Sequence, residues 1–424
     1  MKSKIASLLL LIIAFGCTEK TEKQSIPFQN RLVADECVGY VNLDVLEQQI
    51  STSFLMNKVP MLSMFNLKNM RRKFGLETEQ LFFSANLQNR TARAFIKVSD
   101  RDLLDQNLEL LAKQNSLAKD SAEQYLVYSY PEKSFNAVRI DSVLLLTYAL
   151  DIKEEMNVFQ NHTVLDSAWL DVLTKQGKPF FAKIKNQDLV NYSVNQVSTT
   201  LDIDSVFSFS FLVNKSDKFP FTIKSNFNSL SSKQSNLFLD LTLENQTLTT
   251  HKYWSKFIAD WGRKISFPAE EFLKAWQGEL HYAQGGKAFE KEIEIATVLD
   301  ENFNVIERTK KITKEVEALQ LMLTLDKVKK EILFEEMKKS GFLKQNAERY
   351  NFFIAPSLRT FQKNNHYYFY AGSALPKLKK SEDKRLLYFK NTSGTYTLIF
   401  AKDKGENLLL ELRFKPNLDA GFLL

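Results

Sequence analysis

Cysteine is almost missing from this sequence: Cys17 and Cys37 are its only two. That excludes a disulfide framework, so stability has to come from buried cores. Glycine and proline are also scarce, at 13 and 9, while phenylalanine reaches 34, which argues against low-complexity or disordered chain and for packed sheet. The compact devices of catalysis are absent too. There is no Gly-x-Ser-x-Gly elbow, no phosphate loop, no Gly-x-Gly-x-x-Gly turn and no His-Glu-x-x-His helix. The four histidines, 162, 251, 281 and 366, are scattered without the spacing of a chelating pair. No catalytic residue, metal ligand or cofactor is therefore assigned. Nor is charge of one sign concentrated. The 57 basic and 50 acidic residues are evenly mixed, as on a solvated surface, so no nucleic-acid partner is expected. The one basic stretch, Lys377 to Lys380 with Lys384-Arg385, follows Pro376 and is diluted by Glu382 and Asp383.

The longest apolar run is short and comes first. Met1-Lys2-Ser3-Lys4 precedes Ile5 to Phe15, then Gly16-Cys17. A helix needs about 20 apolar residues to cross a bilayer core of ~30 Å, so this run is a secretory signal by length and charge. Ala14-Phe15-Gly16-Cys17 resembles the bacterial lipobox, which implies lipidation of Cys17 and removal of residues 1–16. The alternatives are a plain secretory signal cut near Gly16 and a short membrane anchor. Removing Lys2 and Lys4 takes the formal charge from +7 to about +5. Residues 17–30 follow as a polar tether without apolar periodicity. Glu19 and Glu22 alternate with Lys20 and Lys23, which leaves the leaflet open between the periplasmic and the surface face. With Cys17 spent on lipid, Cys37 has no intramolecular partner. It opens Cys37-Val38-Gly39-Tyr40-Val41 and reads as a buried strand residue; a reactive thiol is the alternative.

Beyond the tether, aromatic and β-branched runs alternate with polar helical stretches. The expected class is α+β, antiparallel sheets packed with amphipathic helices, in two domains over 31–200 and 201–424. Strands are expected at 37–43, 81–87 and 92–98, 125–130, 135–140, 143–150 and 180–184. Phe207, Phe209 and Phe211 alternate with serines, and 219–227 and 237–243 repeat that two-sided pattern. Helices are expected from Ser99 or Asp100 to about 114, over 151–175, and at 327–339. From His251 to Trp276 the reading is helical, with a second helix starting at Pro268. There Trp254, Phe257, Ile258 and Trp261 share one face, which points to core. Strands at 280–282, 289–299 and 305–312 follow.

Several polar groups invite chemistry. Asp100-x-Asp102-x-x-Asp105 has the look of a calcium loop but lacks its glycine and final glutamate, and suits a helix cap and first turn. Asp202 and Asp204 sit in a connector, and Glu270-Glu271 in a first helical turn. Tyr368 and Tyr370 alternate with Tyr367 and Phe369, so one pair could form a sugar platform, against a packing role. Trp169 and Trp276 are assigned to packing. Asp-Ser-small/apolar occurs four times, at Ser121, Ser142, Ser167 and Ser205. It resembles the O-glycosylation acceptor of exported proteins in the Bacteroidota, and these serines are candidate acceptors.

Three segments, Ala34 to Asp44, Asp166-Ser167-Ala168-Trp169-Leu170 and Phe272 to Leu280, carry a further resemblance. Together with the anchor they resemble lipoproteins of the Bacteroidota grouped by a domain of unknown function, over residues 31–414. That implies a lipid-anchored cell-envelope protein, in the outer membrane, and no catalytic residue. The leading expectation is a non-enzymatic binding or structural role, with the membrane held through the lipid and an envelope protein or glycan as partner. A glycan- or nutrient-binding component of an uptake system is the first alternative, and a hydrolase the second.

Overall fold

A computed structural model describes residues 27–52, 73–114, 117–122, 125–130, 134–162, 164–175, 177–204, 206–224, 227–229, 235–245, 248–299, 305–346, 349–352, 355–372, 379–381, 385–392 and 394–417. The chain divides into two compact units. One is Met1–Val190 with Asn195–Val213, the other Asn191–Val194 with Asn214–Leu424.

The expected α+β class is overturned, because sheet dominates both units. Twenty-three strands stand against eight α-helices among the described residues, and the longest helices have 13 residues against strands of 24 and 21. The physical reason is continuity. The strands expected at 280–282 and 289–299 are one strand, and that at 305–312 continues to Leu325, hydrogen-bonded along the way.

In the first unit the strands are β1 (Cys37–Val41), β2 (Leu76–Asn86), β3 (Thr91–Val98), β4 (Ala118–Ala122), β5 (Tyr125–Tyr130), β6 (Phe135–Ile140), β7 (Val143–Tyr148), β8 (Phe180–Ile184), β9 (Val194–Ile203) and β10 (Phe207–Lys215). Pairing runs β9–β8–β1–β2–β3–β7–β6–β5–β4, antiparallel throughout. Helix α1 (Leu43–Thr52) is started by Asn42, whose Oδ1 accepts from the Asp44 and Val45 amides at 3.1 and 3.0 Å. In α2 (Arg101–Lys113), Asp100 caps the Leu103 amide at 3.0 Å. Its Leu104, Leu108 and Leu111 pack on Ala94, Ile96, Leu144 and Leu146, one face of the sheet. The opposite face, carrying Tyr40, Phe82, Phe95 and Leu145, packs on α3 (Ile152–Asn161) and α4 (Ala168–Thr174) through Met156, Phe159, Trp169 and Val172. Successive residues of a strand point to opposite faces, so β7 is apolar at every position from Val143 to Leu146. A short helix α5 (Gln187–Asn191) follows β8.

The second unit holds β11 (Phe221–Ile223), β12 (Phe227–Ser229), β13 (Leu237–Asn245), β14 (Trp276–Leu299), β15 (Val305–Leu325), β16 (Leu343–Asn346), β17 (Arg349–Phe352), β18 (Ala355–Lys363), β19 (His366–Tyr370), β20 (Lys379–Ser381), β21 (Arg385–Lys390), β22 (Gly394–Lys404) and β23 (Asn407–Pro416). Pairing runs β23–β22–β21–β13–β14–β15–β19–β18–β17–β16, again antiparallel. Three helices complete it: α6 (Lys252–Lys264), α7 (Ala269–Ala275) and α8 (Lys329–Lys339). On one face, Phe334 of α8 meets Tyr367 and Phe369 edge-on, both at 6.2 Å. The other face gathers Phe238, Ala283, Met322, Tyr368 and Tyr388. Lys215 and Asp403 form a buried ion pair, and Asp403 also accepts from the Ile223 amide at 2.9 Å.

Helix α6 departs from the reading of its sequence. Trp254 is held by its indole N–H on the Tyr192 carbonyl, 2.9 Å, among the rings of Tyr192, Phe219, Phe221 and Phe257. Trp261, expected to share that core, is 57% exposed. A seven-residue step turns a helix only roughly 20° short of two turns but moves about 10 Å along its axis, and the rings of Tyr192, Phe219 and Phe221 gather at Trp254.

Candidate functional site

The most distinctive surface of the protein is the outer half of the β14–β15 hairpin. Register is unbroken from Lys287↔Glu317 to Leu299↔Val305. Neighbouring strands stop short, since β13 pairs β14 only as far as Gln284 and β19 pairs β15 only from Gln320. Among the described residues, Lys291–Leu299 and Val305–Thr313 thus form a two-stranded arm without a third strand. At about 3.4 Å per residue it is roughly 30 Å long.

Sequence explains why the arm is extended and where it begins. Ile295 faces Thr309 and Val298 faces Ile306 across the pair, and Ile293, Thr297, Ile312 and Thr313 add further β-branched residues that favour strand. Opposite charges meet at Glu290↔Lys314 and Glu294↔Lys310, and Lys287 binds Glu315 at 3.0 Å, which fixes register. The arm leaves the sheet at Gly285-Gly286, where φ is 111° and 84° and the pairing shifts between Gln284 and Lys287. Such a bulge bends and twists a ribbon. At the base, the buried Glu290 carboxylate takes Arg349 at 2.7 Å, with Arg359 3.6 Å away.

One face of the arm is apolar and wet. Phe289, Ile293, Ile295 and Val305 are 57, 66, 60 and 69% exposed. Isolated exposed hydrophobics are ordinary, but a row of them on a strand with open edges is the signature of an interaction surface. Charges of both signs lie along it, Glu292 and Glu294 with Lys291 on β14, and Arg308, Lys310, Lys311 and Lys314 with Glu307 on β15.

No family model matches the sequence, and no curated protein is similar to it. Among solved structures, crystal form IV of TP0453 is similar at 11% identity and a TM-score of 0.33, over 45% of this chain and 81% of that one. Crystal form III of TP0453 gives 12% identity and a TM-score of 0.32, over 46% and 81%. A likeness of that size carries no argument about this chain.

The residues singled out in the sequence are spread over the fold. Cys17, residues 1–16 and most of the tether, to residue 26, lie outside the described residues, as does Ser205. Ser121 is on β4, opposite Leu126. Ser142 is half-buried in the β6–β7 turn, and its carbonyl accepts from the Val98 amide at 2.8 Å. Ser167 is exposed at the start of α4, where Asp166 takes the capping role by accepting from the Ala168 amide at 3.0 Å. Cys37 is buried on β1, and burial, with Asp35 beside it, pushes its thiol up to about 11. Asp105 is occupied by Arg139 through two bonds of 2.8 and 2.6 Å, and Asp202 by Lys178 at 2.7 and 2.9 Å. Tyr368 is half-buried against the rings of Phe361 and His366.

Two histidine–carboxylate pairs escaped the sequence reading. His281 Nδ1 lies 2.7 Å from Asp240 Oδ1 where β14 pairs β13, and His366 Nε2 lies 3.2 Å from Glu279 Oε2. The partners are 41 and 87 residues apart, so only the strand order could reveal them. His281 has no exposed surface and Asp240 is 3% exposed. A base so enclosed does not reach a substrate in this conformation; the pair ties two strands together. No group of three or more metal-ligating side chains occurs among the described residues, and none of their helices is long and apolar enough to cross a membrane.

Proposed function

We propose that this chain is a lipid-anchored cell-envelope protein with a binding role, and that the β14–β15 arm grips a protein partner through an apolar groove on that partner. The anchored location rests on Lys2, Lys4, the run Ile5 to Phe15 and Gly16-Cys17, and on their resemblance to a lipobox. One observation carries the binding role: a well-registered arm that displays Phe289, Ile293 and Ile295 and packs them on nothing described. An isolated two-stranded ribbon is marginally stable in water, so seating this face stabilises the arm as well as the complex. Each side chain fully buried contributes about 1.5–3 kcal/mol, partly offset by the cost of association.

A photo-crosslinking residue placed at Ile293 in living cells is expected to give discrete protein adducts. The same residue at Val164, exposed on the first unit, serves as the control. Ile295→Ser in the crosslinking chain should weaken the adducts several-fold. Identical adduct patterns at both positions would refute the arm as binding element. Location has its own measurement. Radioactive fatty acid should label the wild-type chain and not Cys17→Ala, and label retained by the variant overturns the anchor.

A further inference from the structure

Helix α6 carries a second uncovered apolar surface, and its surroundings identify what covers it. Tyr253, Phe257, Trp261 and Ile265 follow one another at four-residue spacing, on one side of the helix. Phe257, Trp261 and Ile265 are 44, 57 and 42% exposed. The helix is not free to roll them inward. Trp254 is pinned within its aromatic cluster, and on the buried side a Cβ at Gly262 would fall 2.6 Å from Ala269 Cβ and 2.7 Å from the Phe267 carbonyl. His251 fixes the N-terminus, its Nδ1 accepting from the Trp254 amide at 3.4 Å and its Nε2 lying 2.9 Å from Ser193 Oγ.

The arc is bordered by cations. Lys252, Lys256, Arg263 and Lys264 stand against one acid on the helix, Asp260, which is bound to Arg263. Lys256, Asp260 and Arg263 line a groove together with Glu270 of α7. Two lysines lie over rings of the arc: Lys252 Nζ is 5.4 Å from the Tyr253 centroid, and Lys264 Nζ 5.1 Å from that of Trp261. Exposed aromatic rings with ammonium groups lying over them are an arrangement that suits a lipid headgroup layer.

We propose that this face of α6 docks on an anionic bilayer, with Phe257, Trp261 and Ile265 entering the interface, Lys252 and Lys264 meeting lipid phosphates beside the rings, and Lys256 adding to the positive field of the helix. Charge selects this occupant over a second copy of the chain, because a two-fold pairing of the helix would bring its own cations together. The proposal goes beyond the anchored reading and does not need the lipid on Cys17, so the two fail separately.

The test uses the chain from residue 17 onward with Cys17→Ser. Vesicles are made of phosphatidylcholine alone or mixed with phosphatidylglycerol. The protein is expected to sediment with the mixed vesicles only, and less as salt rises. Its tryptophan emission should shift to the blue. That shift should vanish in Trp261→Phe while sedimentation persists, since Trp169 and Trp276 are buried and Trp254 is packed. Phe257→Ser with Trp261→Ser should weaken partitioning about tenfold or more. Lys252→Gln, Lys256→Gln and Lys264→Gln combined should weaken it roughly a hundredfold. Thermal melts confirm folding of each variant, and the lysine variant, which replaces no ring of the Trp254 cluster, carries the test if the double serine variant fails to fold. The proposal is overturned by absence of sedimentation, by equal binding to neutral vesicles, by binding indifferent to these substitutions, or by a concentration-dependent dimer that Phe257→Ser and Trp261→Ser dissolve.

Discussion

Arg93→Ala is expected to lower the stability of the first unit by about 3–5 kcal/mol, the usual cost of removing one partner from a buried ion network. Arg93 projects from β3 and is only 10% exposed at its side chain. Its guanidinium makes a two-pronged contact with Glu155 on α3, Nε to Oε2 at 2.5 Å and Nη2 to Oε1 at 2.6 Å. The remaining nitrogen, Nη1, reaches Asp35 at 3.0 Å, and Asp35 also accepts from Asn86 at 3.2 Å. Burial works against the guanidinium charge, and the hydrogen bonds and charges of Glu155 and then Asp35 more than offset it, holding its pKa above the ordinary arginine value. Alanine leaves the Glu155 carboxylate, 8% exposed, facing Asp35 with no cation between them. Against a typical domain stability of about 5–15 kcal/mol, that is a large fraction. Urea unfolding followed by circular dichroism measures it. Arg93→Lys should recover part of the loss, since an ammonium restores charge but not the fork. Arg93→Leu with Glu155→Leu should recover more, because Asp35 is partly exposed and keeps Asn86. A loss under about 1 kcal/mol for Arg93→Ala would show that the network is worth no more than a surface pair.

Nothing local announces this network, and that marks the limit of reading the sequence. Arg93 and Glu155 are 62 residues apart, and they meet only because β1, β2, β3 and β7 are adjacent while α3 crosses their face. Local signals fared better. Asp100 caps α2 because an acceptor is needed ahead of the leucine stripe, and Phe82 and Phe95 face each other because β2 and β3 alternate. Two errors have physical causes. Strands are expected at 280–282 and 289–299, whereas one strand of 24 residues runs through both, because glycine at Gly285-Gly286 accommodates positive φ within a bulge. The outer strands at 289–299 and 305–312 are legible in the sequence, but their continuation through 283–288 and 313–325 into the sheet is not. In α6 two apolar arcs adjoin, Trp254 with Ile258 and Phe257 with Trp261. Periodicity gives the width of an apolar face but not which part the neighbours cover. The usable warning was the cation run itself, four basic residues in a thirteen-residue helix with one acid.

The second large effect separates buried from exposed indoles. Trp169→Ala is expected to cost about 3–5 kcal/mol, the range for emptying a large aromatic site in a core. Trp169, on α4, has no exposed surface. Its ring meets Phe82 edge-on at 5.9 Å and Phe95 at 6.2 Å, so it sits across the cross-strand pair that β2 and β3 present to the helices. Alanine would open a void between α4 and the sheet that the paired strands cannot close, because Phe82 is also packed against Phe28 and Tyr40 at 5.7 and 6.3 Å. The indole N–H has no hydrogen-bond partner among the described residues. Trp169→Phe therefore gives up area but also removes a buried orphan donor, and its cost should stay below about 1.5 kcal/mol. Trp261→Ala, on the exposed side of α6, should change stability by no more than about 0.5 kcal/mol while abolishing the vesicle-induced fluorescence shift. If Trp261→Ala destabilised the fold as much as Trp169→Ala, the α6 arc would belong to a core and would not be available to a membrane.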